Sequence, residues 1–336
     1  EVYIKVLADP GVRQELSDYF AFRPSNYQFH PKFKAKVWDG FIRLYSPMKP
    51  VLYIGLLDYL KKFCVDREYK LEYNEKDFIG ETIPDNYIET LLKYTNGELI
   101  PRDFQNEYVL NAIRNGRSIS LSPTSSGKSF IQFLIHLHYY TKHSARTLII
   151  VPTVGLVHQM AGDFVDYGYS ENDIHKIQSG VDKNINKSVT ISTWQSLTNQ
   201  SKEWFNQFQV ILGDEVHTFA AKSLTTIMEK TTEVPWKHGF TGTISSESKV
   251  NKIVLEGLFG SVKKFISTKE LIDKELVASF KVKALVLSYN NEDKKEFSKL
   301  VKEKKKQNPN LKNIVFTTER EFLFKNEKRN KFLKNL

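Results

Sequence analysis

The chain has 336 residues, 40% apolar and 26% charged, with a net charge of +10. That length suits two or three compact domains, and no apolar run approaches the ~20 residues of a membrane-spanning helix. The single cysteine, Cys64, excludes an internal disulfide and any multi-cysteine zinc site.

The opening residues EVYIKVLADP lack the basic-then-apolar order of a signal peptide, and the single cysteine leads to the expectation of an interior, reducing compartment. VYIKVL alternates and predicts a strand. GVRQELSDYFAF has helical spacing, FIRLYS (41–46) predicts a second strand, VLYIGLLDYLKKFCVDR a long amphipathic helix, and YKLEY a closing strand. Residues 1–75 therefore read as a small α+β domain. Between its first helix and second strand, Lys32, Lys34, Lys36 and Arg43 are threaded with Tyr27, Phe29, Phe33 and Trp38. Basic residues interleaved with aromatics suit phosphate contact and base stacking. The same residues also fit a plain β-hairpin with Trp38-Asp39-Gly40 as its turn.

Residues 76–98 read as an acidic, helical connector that ends at Asn96-Gly97. From 99 to about 288 the pattern changes. Short β-rich runs (RSISLS, RTLIIVPT, VTIST, QVILGDE, KHGFTGT and a last one, FKVKALVLSY) alternate with helical segments. This predicts an α/β fold with a doubly wound, mostly parallel sheet. Residues 289–336 carry twice as many Lys/Arg as Asp/Glu. They read as a basic linker or tail, either a solvated Lys-rich face or a phosphate-backbone contact.

The chemistry lies in two short runs. SLSPTSSGKSF (120–130) joins a buried-type strand to an apolar helix and ends in Gly127-Lys128-Ser129. Backbone N–H groups of Thr124, Ser125, Ser126 and Gly127 at a helix N-terminus suit phosphates. Lys128 would reach the β- and γ-phosphates of ATP, and Ser129 would ligate Mg²⁺. The phosphate-loop pattern opens with glycine five residues before Gly127, where this chain has Ser122. The second run, QVILGDEVH, feeds an apolar strand into Asp214 and Glu215. The first would hold Mg²⁺ and the second would orient or deprotonate the attacking water.

PTSSGKS, DEVH and TGT resemble motifs I, II and III of the superfamily 2 helicases and translocases, in which the first loop position is often not glycine. The resemblance implies a P-loop NTPase built of RecA-like domains. PRDFQ (101–105) is similar to the family's adenine-reading segment. It implies Gln105 on the base edge, with Phe104 or Arg102 flanking it. VPTVGLVHQM and STWQSL resemble motifs Ia and Ib, which implies Pro152, Thr153, Thr193 and Gln195 facing a nucleic-acid backbone. Thr153 and Thr193 also suit plain helix N-caps. His217, Thr241 and Thr243 would couple the ATP state to the nucleic-acid track.

The front segment NYQFHPKFK with WDGFIRLY, together with STKELIDKELVASFKVKALVL, is similar to the recombination and branch-migration helicases of T4-like bacteriophages. That resemblance implies a monomeric phage protein of the bacterial host cytoplasm. It would act on branched, duplex or single-stranded DNA, or on RNA–DNA hybrids, in recombination and repair. It also implies a second RecA-like domain bearing catalytic arginines, which residues 1–336 do not contain. Residues 1–336 are therefore expected to bind DNA with little ATP hydrolysis. The alternatives are a non-catalytic DNA-binding module, or a superfamily 2 motor of a restriction or RNA-processing system. A small-molecule P-loop kinase is disfavoured, since it needs neither PRDFQ nor TGT.

Overall fold

The computed structural model describes residues 2–24, 26–74, 80–97, 99–177, 187–220, 222–244, 249–279, 285–307 and 313–335. It divides into two compact units, Glu1–Ala278 and Ser279–Leu336.

The first unit is built on a seven-stranded sheet. Its strands are β5 (Arg117–Leu121), β6 (Thr147–Val151), β7 (Ile174–Ile177), β8 (Val189–Thr193), β9 (Val210–Asp214), β10 (Trp236–Thr241) and β11 (Val262–Lys263). They lie in the order β11-β5-β10-β9-β6-β8-β7, and every pairing is parallel. This is the predicted doubly wound sheet. The edge strands β7 and β11 were not predicted, because IHKI is half polar and VK is two residues long. Burial follows the two-residue period of a strand. Leu148, Ile150 and Ile211 enter one core, while Ile149, Val151, Val210 and Leu212 enter the other.

The front segment completes the first of these cores. Its strands are β1 (Tyr3–Lys5), β2 (Ala21–Phe22), β3 (Ile42–Arg43) and β4 (Val51–Tyr53). They form two antiparallel pairs, β1 with β4 and β2 with β3. Leu16, Phe20, Leu52, Leu56 and Phe63 pack into the same cluster as Ile211, Phe219 and Phe259 from the sheet side. Gly55 sets the closeness of this junction: a Cβ there would lie 2.0 Å from the carbonyl oxygen of Glu256. Tyr3 and Tyr53 both donate to Glu229 Oε1, at 2.8 and 2.6 Å, and Tyr59 donates to Glu256 Oε2 at 2.6 Å. Front segment and sheet therefore form one packed body.

Several local expectations are corrected. The 23–41 region is no hairpin: it forms a 3₁₀ turn (Tyr27–Phe29) and a short helix (Pro31–Lys34) between β2 and β3. Pro31 sits at the first helical position and His30 caps the helix by accepting from Lys32 N, which favours helix over strand there. The second strand is only Ile42–Arg43. Val51–Tyr53 is strand rather than helix, because the β1 edge is there to pair with it; the helix runs Leu57–Asp66. YKLEY is not a strand, for no edge receives it. Tyr69 N instead closes the preceding helix on Cys64 O, and Lys70 pairs with Glu72. The predicted strand FKVKALVLSY lies partly outside the described residues, and its described part, 285–289, has no regular structure.

The connector is helical over Ile88–Leu92, as expected. The second unit corrects the linker reading. Its described residues form helices Asn291–Gln307, Ile314–Lys325 and Glu327–Lys334. Lys, Glu and Leu are good helix formers, and the first two helices hold each other through Phe297 against Phe322 and Lys304 on Glu321. Among the described residues, no helix is long and apolar enough to cross a membrane.

Candidate functional site

In a parallel sheet every strand ends on the same side, and ligands bind in the crevice outside those ends. The loops after β5, β9 and β10 bring the predicted residues together there.

After β5 the chain turns through residues 122–127 into the helix Lys128–His143. Ser125 (φ +66) and Gly127 (φ +79) are both left-handed, which curls the loop and points it at the helix N-terminus. Ser122, the residue in the glycine position, is wholly buried and builds the loop. Its N–H donates to Thr241 O at 2.9 Å, and its Oγ is 2.5 Å from Ser126 Oγ. Ser126 Oγ–H donates to Pro123 O at 2.7 Å, so Ser122 is the donor of the pair. Gln105 braces the loop from outside. Its Nε2 donates to Ser126 O at 2.9 Å and its Oε1 accepts from Arg102 N at 2.8 Å. The amide expected to read a base edge thus places one hydrogen bond on the phosphate loop and one on the start of its own helix. Phe104 is 4% exposed in the core, so of the two flanking candidates only Arg102 lies open.

Gly127 fits this arrangement alone. A Cβ there would come within 2.3 Å of Gln105 Nε2, at a φ that L-residues avoid. Gly127→Ala is expected to cost ~1–3 kcal/mol of stability in thermal unfolding. Adding Gln105→Ala should relieve the clash and leave the backbone strain.

Asp214, the last residue of β9, is 7% exposed. Glu215 adopts φ +49, a strained turn for a non-glycine residue. Glu215 Oε1 lies 3.7 Å from Lys128 Nζ, and Oε2 lies 3.2 Å from His217 Nδ1 and 3.3 Å from Thr241 Oγ1. Thr241 Oγ1 is also 2.9 Å from His217 Nδ1 and donates to Thr243 O at 2.9 Å. One chain of contacts therefore runs from Lys128 through Glu215 and His217 to Thr241 and Thr243. Burial, and then the neighbouring Glu215 charge, push Asp214 up to about 6, while Lys128 pulls it down.

Two further residues join the site. Gln132 Nε2 points at Asp214 Oδ1 from 3.5 Å, and Tyr167 OH lies 2.8 Å from Ser129 Oγ. Gln132 was legible, since it sits four residues after Lys128 on the same helical face. Tyr167 was not, because nothing in its local sequence ties it to Ser129.

The nucleic-acid candidates divide. Thr153 caps the helix Val154–Asp166 by accepting from Leu156 N, and Pro152 precedes it, half-buried. Gln195 is exposed as expected, but Thr193 is 4% exposed with its Oγ1 on Ser196 Oγ. It ends a central strand, and its side chain turns inward. In the front segment Lys32, Lys34 and Lys36 are exposed. Trp38 is half-buried, with its indole N–H donating to Phe41 O at 2.8 Å. Arg43 is already paired with Asp39 at 2.7 Å, so it is less available than the lysines.

A family model for the N-terminal part of the DNA helicase UvsW matches residues 2–74, and one for the res subunit of type III restriction enzymes matches residues 98–246. The chain is 34% identical over 302 residues to the ATP-dependent DNA helicase UvsW of Enterobacteria phage T4, covering 86% of this chain and 59% of that protein. A crystal structure of the UvsW helicase from bacteriophage T4 superimposes with a TM-score of 0.71 at 32% identity, covering 78% of this chain and 96% of that one. The chain belongs to the UvsW family of superfamily 2 helicases. It is also 27% identical over 246 residues to the DNA 3'-5' translocase XPB2 of Sulfurisphaera tokodaii, covering 73% of this chain and 51% of that protein. The chain thus spans between half and three-fifths of the length of these two relatives. UvsW-family membership accounts for the joint presence of the front segment and the phosphate-loop sheet, which the restriction-enzyme match alone does not cover.

Proposed function

We propose that this chain is the DNA-gripping front and first motor domain of an ATP-dependent helicase that remodels branched DNA in recombination and repair. The single observation that carries the reading is the continuous contact path from Lys128 through Glu215 and His217 to Thr241 and Thr243. It joins the residue that would meet the γ-phosphate to the loop expected to sense DNA.

The residues suit ATP and a hard cation. A buried carboxylate raised by burial and by a second carboxylate is the donor set that oxygen-seeking Mg²⁺ relieves. Ser129 and Asp214 would hold it, and the bound ion would neutralise charge on the β- and γ-phosphates. Lys128 binds the γ-phosphate, and the curled loop gives N–H groups to the phosphates. Glu215 orients the attacking water and accepts its proton. His217 and Thr241 report the loss of the γ-phosphate, because both touch Glu215 Oε2. Gln105 supports the loop and Arg102 lies open toward the base.

Phosphoryl transfer in such motors also needs a cation on the developing charge. Among the described residues no arginine pairs with Asp214 or Glu215. Residues 1–336 by themselves are therefore expected to hydrolyse ATP at least ~10³-fold more slowly than an arginine-completed motor.

The deciding experiment pairs binding of a fluorescent ATP analogue, with and without Mg²⁺, with binding of forked and linear DNA. Both are expected, with forked DNA preferred. A chain that holds forked DNA and no nucleotide would be a DNA-binding module, and the motor reading would fall.

The front lysines give a second measurement. Combined alanine substitution of Lys32, Lys34 and Lys36 should weaken binding to all DNA sequences alike. It should also flatten the salt dependence, by about 0.7–0.9 in log–log slope for each phosphate no longer neutralised. Arg43→Ala should do less, since Asp39 already holds that guanidinium.

A further inference from the structure

Away from the nucleotide crevice, one cluster of metal-ligating side chains stands out among the described residues. Glu81, His138 and His143 present a carboxylate oxygen and two imidazole nitrogens, all within 4.8 Å of one another. Glu81 Oε1 lies 3.1 Å from His138 Nε2 and 2.6 Å from His143 Nε2. Tetrahedral zinc, with ligand bonds of about 2.0–2.2 Å, sets its ligand atoms roughly 3.3 Å apart, a spacing that lies between the Glu81–imidazole contacts and the 4.8 Å limit of the cluster.

Three surrounding features favour a cation over a mere ion-pair knot. His138 is buried, and its other nitrogen, Nδ1, is 2.9 Å from Tyr87 OH. Tyr87 OH can accept from Nδ1–H, the tautomer that would free Nε2 for a metal, as outer partners do for metal-bound histidines. His143 and Lys142 occupy the last turn of the sixteen-residue helix Lys128–His143, where the helix dipole concentrates negative potential. His143 is only one-third exposed, with its ring 4.9 Å from Trp236, which limits its search for other partners. Lys142 pairs with the other carboxylate oxygen, Glu81 Oε2. It leaves Oε1 to the imidazoles but competes for the charge of Glu81.

We propose that Glu81, His138 and His143 form a zinc site, with water completing the coordination. Two imidazoles and one carboxylate are a set that zinc accepts. The ion would act as a clamp. Gly80 N and Glu81 N already donate to Arg114 O and Ile113 O, at the end of the helix Asp103–Asn115. That helix begins beside Gln105 and its neighbour begins at Lys128, so zinc on Glu81 ties together the far ends of the two nucleotide-facing helices. The inference does not depend on the ATP reading.

The test uses the chelator-treated 336-residue chain, titrated with Zn²⁺ and with Co²⁺ as a visible-absorbing substitute. One equivalent is expected to bind, with a tetrahedral-type cobalt band and a rise in melting temperature. Glu81→Gln and His143→Ala, both at the partly open side of the cluster, should each weaken binding at least tenfold. Lys142→Ala should strengthen it severalfold by removing the competing ammonium, an effect a purely structural ion-pair cluster would not give. Asp214→Asn should leave it unchanged, which separates this ion from one in the nucleotide crevice. No cobalt band, or a band that survives both Glu81→Gln and His143→Ala, overturns the site.

Discussion

Lys128→Ala is expected to lower ATP turnover in the active protein by ~10²–10³-fold while leaving the fold in place. The magnitude follows from removing one preorganised positive group aimed at developing phosphate charge. The fold should survive because Lys128 makes a 3.7 Å contact with Glu215 rather than a tight buried pair. The substitution has a second consequence, set by the same geometry. The Lys128 charge is what pulls Asp214 down against burial and Glu215. Without it Asp214 holds its proton to higher pH, so Mg²⁺-dependent nucleotide binding should need more alkaline conditions. Binding of a fluorescent ATP analogue across pH checks this. Unaltered nucleotide affinity and pH dependence in the variant would remove Lys128 from the phosphates.

Asp214→Asn is expected to separate stability from function. The wild-type carboxyl is raised from 3.8 to about 6 by burial and by Glu215. Between these two values the folded chain binds a proton that the unfolded chain has released, so stability falls as pH rises through this window. Above about pH 6 the folded state carries the full cost of the buried charge. Each pKa unit is worth 1.36 kcal/mol, so asparagine, which keeps an acceptor for Gln132, should stabilise the nucleotide-free chain by ~1–3 kcal/mol at neutral pH. Its pH profile should also flatten. The same change should abolish the benefit of Mg²⁺ for nucleotide binding. Thermal unfolding at pH 5 and pH 8, with and without Mg²⁺ and ATP, reads both effects. A variant less stable than wild type at pH 8 in the absence of nucleotide would mean that Asp214 is not a strained charge.

The trade is characteristic of a site assembled for a ligand. Asp214, the left-handed Glu215 and the left-handed Ser125 each cost the fold something. A polyanion and its cation would relieve the electrostatic part. The packed junction around Gly55, Glu229 and Glu256 is the rigid support against which such local cost is tolerated.

Chemistry that depends on local order was legible in the chain alone. Runs such as TLIIV and VILGD declare buried parallel strands through continuous apolar β-branched composition. GKS after one strand and DE at the end of another lie at strand ends whatever the rest of the chain does, so Lys128, Ser129, Asp214 and Glu215 could be read directly. Gln105 was reached only through the resemblance of PRDFQ to a family segment.

Wherever a residue's partner is distant in sequence, the outcome rested on tertiary packing. Val51–Tyr53 became strand because β1 offered an edge, while YKLEY pairs with none and closes the preceding helix instead. Phe104 packs into one of the two cores, Thr193 turns its hydroxyl to Ser196, and Tyr167 reached Ser129 across 38 positions. Glu81 met two histidines of a helix that begins more than forty residues later, and no periodicity in the sequence joins them. Local pattern names the long, periodic elements; the packing of one element on another decides the short ones and fixes what every side chain touches.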